Sequence, residues 1–82
     1  MSEDRCSKLA AYIQRELSKD RRRVLDSDTP LISSGLVDSL SLIQVLAFVE
    51  DEFGVVIPDE AATAASMDTI RLIDQLIEAH SA

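Results

Sequence analysis

One side chain in this sequence is placed to take part in chemistry, the hydroxyl of Ser39. It follows Asp38 directly and stands where the strongest helical pattern of the chain begins. At a helix start the backbone N–H groups lack partners and the helix dipole favours an anion, so a phosphate esterified to this hydroxyl would be well placed. An N-cap serine is the simpler explanation of the same pattern. The sequence therefore leaves open whether Ser39 is modified or only caps a helix.

The residue types give little support for a catalytic nucleophile or a metal site. An enzymatic nucleophile at Ser39 is disfavoured because LVDSLS lacks the flanking glycines of a nucleophile elbow, and the single histidine, His80, lies at the far end of the chain. A small hydrolase is therefore a minor alternative. The single cysteine, Cys6, is expected to pack in the core, and no metal site is predicted because no second Cys or His exists to complete one.

The composition limits the possible partners and locations. The chain has 82 residues and a net charge of -7, so we expect one domain spanning residues 1–82 that binds basic proteins and not nucleic acid. A single cysteine fits a reducing compartment. No apolar run approaches the roughly 20 residues of a membrane span, and the polar start MSEDRCSK does not resemble a signal peptide. We therefore expect a cytoplasmic monomer with no membrane-embedded segment.

Residue periodicity predicts an all-α fold, a four-helix bundle with three longer helices and one short one. The longer helices are expected over Glu3–Leu17, Ser39–Phe53 and Ile70–His80. Gly54 is suited to end the second helix in the left-handed conformation, and Asp68 or Thr69 is suited to cap the last. Between these two helices, Val55–Ile57 is predicted to be an extended connector and Pro58–Ala65 a short helix.

A long loop, Ser18–Asp38, joins the first two helices. It contains too many apolar residues for a solvated linker, so several are expected to pack into the bundle. These residues are Leu25, Leu31, Ile32, Leu36 and Val37. The run from Arg21 to Arg23 is interpreted as a charged surface loop, with a partner contact as the alternative. A loop of this length usually has a function.

The second helix carries two stripes at helical spacing. The first is expected to face the core and consists of Leu42, Val45, Leu46, Val49 and Phe53. The second begins apolar and ends acidic, and consists of Leu40, Ile43, Gln44, Ala47, Glu50 and Asp51. Either Leu40 and Ile43 pack on the preceding loop, or the second stripe is a docking surface in which aliphatic side chains supply contact area and acids steer a partner.

The segment GLVDSLSLIQVLAFVEDEFGVVIPDE, from Gly35 to Glu60, resembles the central part of acyl and peptidyl carrier proteins. Asp38, Ser39 and Leu40 match the attachment motif of that family, and EDEFG and IPDE follow at the family's places. The resemblance implies a non-catalytic carrier whose Ser39 receives 4'-phosphopantetheine from coenzyme A through a phosphopantetheinyl transferase. Acyl or aminoacyl groups would then travel as thioesters on the thiol of the arm, where loading and processing enzymes act on them. Asp38 and the second stripe are the expected partner contacts.

The sequence departs from the fatty-acid-synthesis type at two positions. Ser41 and Gln44 stand where many such carriers have acids. This difference favours a specialised biosynthetic pathway, with peptidyl, D-alanyl and polyketide carriers all remaining open. Because the sequence begins near its first predicted helix and ends soon after its last, we expect a free-standing carrier. A cofactor-free helical interaction module, in which Ser39 only caps the helix, is the alternative of a different class.

Overall fold

The computed structural model describes residues 2–19 and 25–81, and within these ranges the protein contains three α-helices and no strand. Helix α1 spans Ser2–Tyr12 and continues as a π-helical turn, Ile13–Leu17. A 3-10 turn, Ser39–Ser41, leads into α2, Leu42–Phe53, and α3 spans Ile70–His80. The all-α prediction and the positions of the three longer helices are confirmed.

The ends of α2 and α3 follow from single residues. Gly54 adopts a φ of 69° and its backbone N–H donates to the Glu50 carbonyl at 2.9 Å, which ends α2 in the left-handed conformation that glycine adopts without steric cost. Thr69 begins α3, because its side-chain oxygen accepts a hydrogen bond from the Leu72 backbone N–H at 3.1 Å. Thr69, and not Asp68, is therefore the cap of the last helix.

The core lies where the three helices and the loop before α2 meet. Its fully buried members are Leu9, Ile13, Leu31, Val45, Val49, Met67, Ile70, Ile73 and Ile77. Both α2 and α3 turn one apolar stripe toward this core, as their periodicity predicts. Cys6 is only partly buried and packs against the edge of the cluster.

The loop before α2 also packs into the core, as predicted. Leu25, Leu31, Leu36 and Val37 are buried, and Ile32 is partly buried. The loop is fastened to α3, because the Arg71 backbone N–H donates to the Ser27 carbonyl at 3.0 Å and the Arg71 guanidinium pairs with the Asp28 carboxylate at 2.9 Å. The basic run from Arg21 to Arg23 lies outside the described residues.

The prediction of a short helix over residues 58–65 is wrong, so the four-helix count is not confirmed. Residues 59–61 and 64–67 form turns. Two backbone bonds of α-helical spacing occur there, from the Ala62 N–H to the Pro58 carbonyl at 3.2 Å and from the Met67 N–H to the Thr63 carbonyl at 3.0 Å, but they do not continue into a helix. At Thr63 the backbone N–H donates to Ser66 Oγ at 3.0 Å, and the Ser66 N–H donates to Thr63 Oγ1 at 3.1 Å. These backbone N–H groups therefore donate to side-chain hydroxyls and not to backbone carbonyls, as they would in a helix. A segment this short forms a helix poorly without those backbone hydrogen bonds.

Candidate functional site

Ser39 lies at an exposed junction between the packed loop and α2. It is the first residue of the 3-10 turn, and Asp38 before it is extended, with φ -71° and ψ 145°. The Asp38 carbonyl accepts a hydrogen bond from the Ser41 N–H at 2.9 Å, which closes the turn around Ser39. Within residues 2–19 and 25–81, the Ser39 hydroxyl has no hydrogen-bond partner. The N-cap interpretation is therefore wrong, because the Ser39 side chain does not accept a hydrogen bond at the start of the helix.

Lys19 holds the chain just before Ser39 in two ways. Its backbone N–H donates to the Leu36 carbonyl at 2.9 Å, and its Nζ lies 2.7 Å from Asp38 Oδ1. Both side chains of this ion pair are more than half exposed, at 57% and 61%. The pairing joins residues that are far apart in sequence, and no periodicity signals it.

Asp68 holds the same loop at a different point. Its Oδ1 accepts hydrogen bonds from the backbone N–H groups of Ile32 at 2.7 Å and Ser33 at 2.8 Å. Its own carbonyl accepts from the Leu31 N–H at 2.6 Å, and the Leu31 carbonyl in turn accepts from the Val37 N–H at 3.0 Å. A continuous series of hydrogen bonds therefore runs from the residue before the α3 cap to within two residues of Ser39.

The hydrogen bonds to Asp68 also change its acidity. The backbone N–H and hydroxyl of Ser33, helped by the Ile32 N–H, lower the pKa of the Asp68 carboxyl by stabilising its charged form. Sequence reasoning treated Asp68 only as a possible helix cap. Its role in holding the loop depends on contacts across the fold that the sequence pattern does not reveal.

The second stripe begins at Leu40 in the 3-10 turn, continues along α2, and is exposed along its whole length. Leu40 is 80% exposed and Ile43 70% exposed, and Gln44, Ala47, Glu50 and Asp51 are exposed as well. The alternative in which Leu40 and Ile43 pack on the preceding loop is therefore wrong. The core stripe is confirmed, because Leu42, Val45 and Val49 are buried and Leu46 and Phe53 pack against them.

An open groove of about 690 Å³ lies beside the downstream half of this stripe. Tyr12 and Phe48 form one wall, with their rings stacked at 4.2 Å between centroids, and Phe48 meets Phe53 edge to face at 5.9 Å. Gln44, Ala47, Glu50 and Asp51 complete the lining. Tyr12 and Phe48 are partly buried against the core and also contribute to this surface.

The remaining candidate side chains, Cys6 and His80, lie away from Ser39 or have low reactivity. Burial raises the pKa of the Cys6 thiol, so it stays protonated near neutral pH and is a weak nucleophile. His80 lies at the end of α3, where its Nδ1 is 3.0 Å from the Leu76 carbonyl oxygen. In the described part of the chain, no three His, Cys, Asp or Glu residues gather as a metal site. The helices found there are too short or too polar to span a membrane.

Comparison with models of known protein families identifies the family that the chain matches. The family described as phosphopantetheine attachment site matches residues 7–73, which include α1 from Ser7 onward, the loop, Ser39, α2 and the first turn of α3. No curated protein matches the chain.

Proposed function

The chain belongs to the phosphopantetheine attachment site family and carries 4'-phosphopantetheine covalently, and on this premise we propose that Ser39 is the attachment residue. The observation that carries the proposal is the exposed Ser39 hydroxyl, which has no partner in the described ranges. A transferase can therefore reach this oxygen without breaking a hydrogen bond to any described residue and without moving the core. The phosphate fits the site chemically, since the first N–H groups of a helical segment favour an anion.

The role of the protein is that of a carrier. Domains of this family are generally non-catalytic, and they work with a phosphopantetheinyl transferase and with acyl-processing enzymes. The bound arm supplies a thiol that can hold an acyl or aminoacyl group as a thioester. The family match removes the cofactor-free interaction module as an interpretation. We further propose that residues 1–82 form one monomeric carrier domain of a specialised biosynthetic pathway, acting in the cytoplasm.

We also propose that partner enzymes dock on the face formed by Asp38 and the second stripe of α2. Leu40 and Ile43 provide exposed apolar area immediately after Ser39. Glu50 and Asp51 lie exposed farther along the same helix, where they can attract a basic partner surface. A partner seated on this face would have its apolar contact nearest the attachment residue, while Gln44 and Ala47 fill the interval between the apolar and acidic ends.

The attachment is tested by intact mass. The apo protein is incubated with coenzyme A, Mg²⁺ and a promiscuous phosphopantetheinyl transferase, beside Ser39→Ala and the matched control Ser41→Ala from the same turn. The wild type and Ser41→Ala are expected to gain one phosphopantetheine, and Ser39→Ala none. Attachment to Ser39→Ala, or no attachment to the wild type, would show that the assignment of Ser39 is wrong.

A further inference from the structure

The Lys19 ammonium is fixed beside the proposed attachment residue. Its Nζ is 2.7 Å from Asp38 Oδ1, and Asp38 is the residue bonded to Ser39. The backbone of Lys19 is anchored as well, through the hydrogen bond of 2.9 Å from its N–H to the Leu36 carbonyl. The ion pair of the side chain and the hydrogen bond of the backbone therefore both restrain the position of this ammonium group.

Among the described residues, the other basic side chains are engaged elsewhere. Arg5 pairs with Asp74 and Glu78, Lys8 with Glu52, Arg15 with Glu16, and Arg71 with Asp28. Lys19 is the cation of the described ranges whose ion pair includes a neighbour of Ser39. Among the described basic residues, Lys19 is therefore the one best placed to contact an anionic group on Ser39.

Attachment of the arm places a second negative charge next to Asp38. Consecutive Cα atoms are about 3.8 Å apart, so a phosphodiester on Ser39 and the Asp38 carboxylate repel each other at short range. The chain as a whole has a net charge of -7, which adds to this repulsion. An ammonium group has three N–H donors and binds phosphate as a point charge, so one lysine can serve a carboxylate and a phosphate together.

We propose that Lys19 is a binding residue for the phosphate of the arm, with its ammonium shared between the Asp38 carboxylate and the phosphodiester on Ser39. This inference rests on the proposed attachment at Ser39. The shared ammonium offsets the repulsion between the two anions and restrains the base of the arm close to the protein surface. Arginine at this position keeps the charge, whereas glutamine of similar length removes it.

The experiment is ³¹P NMR of the holo protein at pH 8 and low salt, with intact mass first showing that each variant carries one arm. The phosphodiester signal of Lys19→Gln is expected to lie at a different position from that of the wild type, because glutamine removes the positive charge beside the phosphate. Lys19→Arg should keep the wild-type signal position, because arginine keeps that charge.

Lys8→Gln is the matched control, since it removes an exposed lysine whose ion pair with Glu52 lies at the other end of α2. It should retain the wild-type signal position. An unchanged signal position in Lys19→Gln, or an equal change in Lys8→Gln, overturns the inference. If Lys19→Gln gains the arm too poorly for NMR, a wild-type signal that does not move between low and high salt overturns it equally, because salt screens an exposed charge contact. If the wild type gains no arm, the proposed function and this inference are both wrong. If the wild type carries the arm but its ³¹P signal does not depend on Lys19, only this inference is wrong.

Discussion

Asp68 holds Ser33 through both of its carboxylate oxygens. Oδ1 accepts the Ser33 backbone N–H at 2.8 Å, and Oδ2 accepts the Ser33 hydroxyl at 2.7 Å. The two residues come from the segment before α3 and from the loop that leads to Ser39. This contact, together with the Ile32 N–H on Oδ1, joins the loop to the segment that leads into α3.

Substitution of Asp68 by alanine should destabilise the protein and loosen the loop before Ser39. It leaves the backbone N–H groups of Ile32 and Ser33 without their acceptor, and each such loss costs about 1–3 kcal/mol where the group is shielded from water. Urea unfolding measures the change. Asp59→Ala, at an exposed acid, is the control and should change the free energy of unfolding by less than about 0.5 kcal/mol. Equal effects of the two substitutions would mean that the contact contributes little.

The acidity of Asp68 predicts a pH dependence with a definite sign. Because its pKa is lower in the folded protein than the ordinary 3.8, its contribution to stability is present above the unfolded-state pKa and is lost as pH falls through the folded pKa. The difference in melting temperature between the wild type and Asp68→Asn should therefore be constant near neutral pH and shrink below about pH 4. A difference that grows on acidification would contradict this assignment. Melts at a series of pH values test it.

Ser39→Ala should abolish arm attachment with almost no effect on folding. Since the hydroxyl has no partner in the described ranges and does not cap α2, the free energy of unfolding should change by less than about 0.5 kcal/mol. Thermal melting and intact mass separate the two properties. A loss of about 1 kcal/mol or more, typical of a removed cap, would show that Ser39 stabilises the helix start after all.

Phe53→Ala should destabilise the protein by less than the roughly 3–5 kcal/mol expected for a fully buried phenylalanine. Phe53 is only partly buried, and part of its contact is the edge-to-face arrangement with Phe48 at 5.9 Å. Ile73→Ala, at a completely buried position, is the comparison and should cost about 2–5 kcal/mol. Chemical denaturation measures both. An unchanged free energy of unfolding for Phe53→Ala would contradict its packing against the core.

Charge reversal at Glu50 and Asp51 should slow recognition by a basic partner enzyme while leaving stability nearly unchanged. Exposed charges act mainly on the encounter rate and are screened over roughly 8–10 Å at ordinary salt, so added salt should bring the wild type toward Glu50→Lys/Asp51→Lys. The rate of arm attachment at low and high salt is the measurement, with circular dichroism as a check of folding. Asp59→Lys/Glu60→Lys makes the same charge change beyond α2 and should have the smaller effect. The reverse order would place partner docking near Asp59 and Glu60.

Much of the fold could be predicted because it depends on neighbours along the chain. The 3.6-residue period of α2 and α3 places their apolar residues on one face, and Gly54 and Thr69 act through hydrogen bonds within one turn of the helix ends. The position of Ser39 before α2 follows from the same local signals. The incorrect prediction of a helix over residues 58–65 also has a local cause. The hydroxyls of Thr63 and Ser66 accept hydrogen bonds from backbone N–H groups, and helix propensity and dipole signals do not include this competition.

The sequence by itself determined three helices, the core-facing stripe of the second, and a serine at the start of that helix. Only the tertiary structure decided that the Ser39 hydroxyl is exposed and unpaired in the described ranges, that Leu40 and Ile43 face solvent, and that the loop is held by Lys19 and Asp68. The physical reason is distance along the chain. Lys19 meets Asp38 across 19 positions and Asp68 meets Ser33 across 35, so these contacts exist only once the helices have packed and brought the loop to its place.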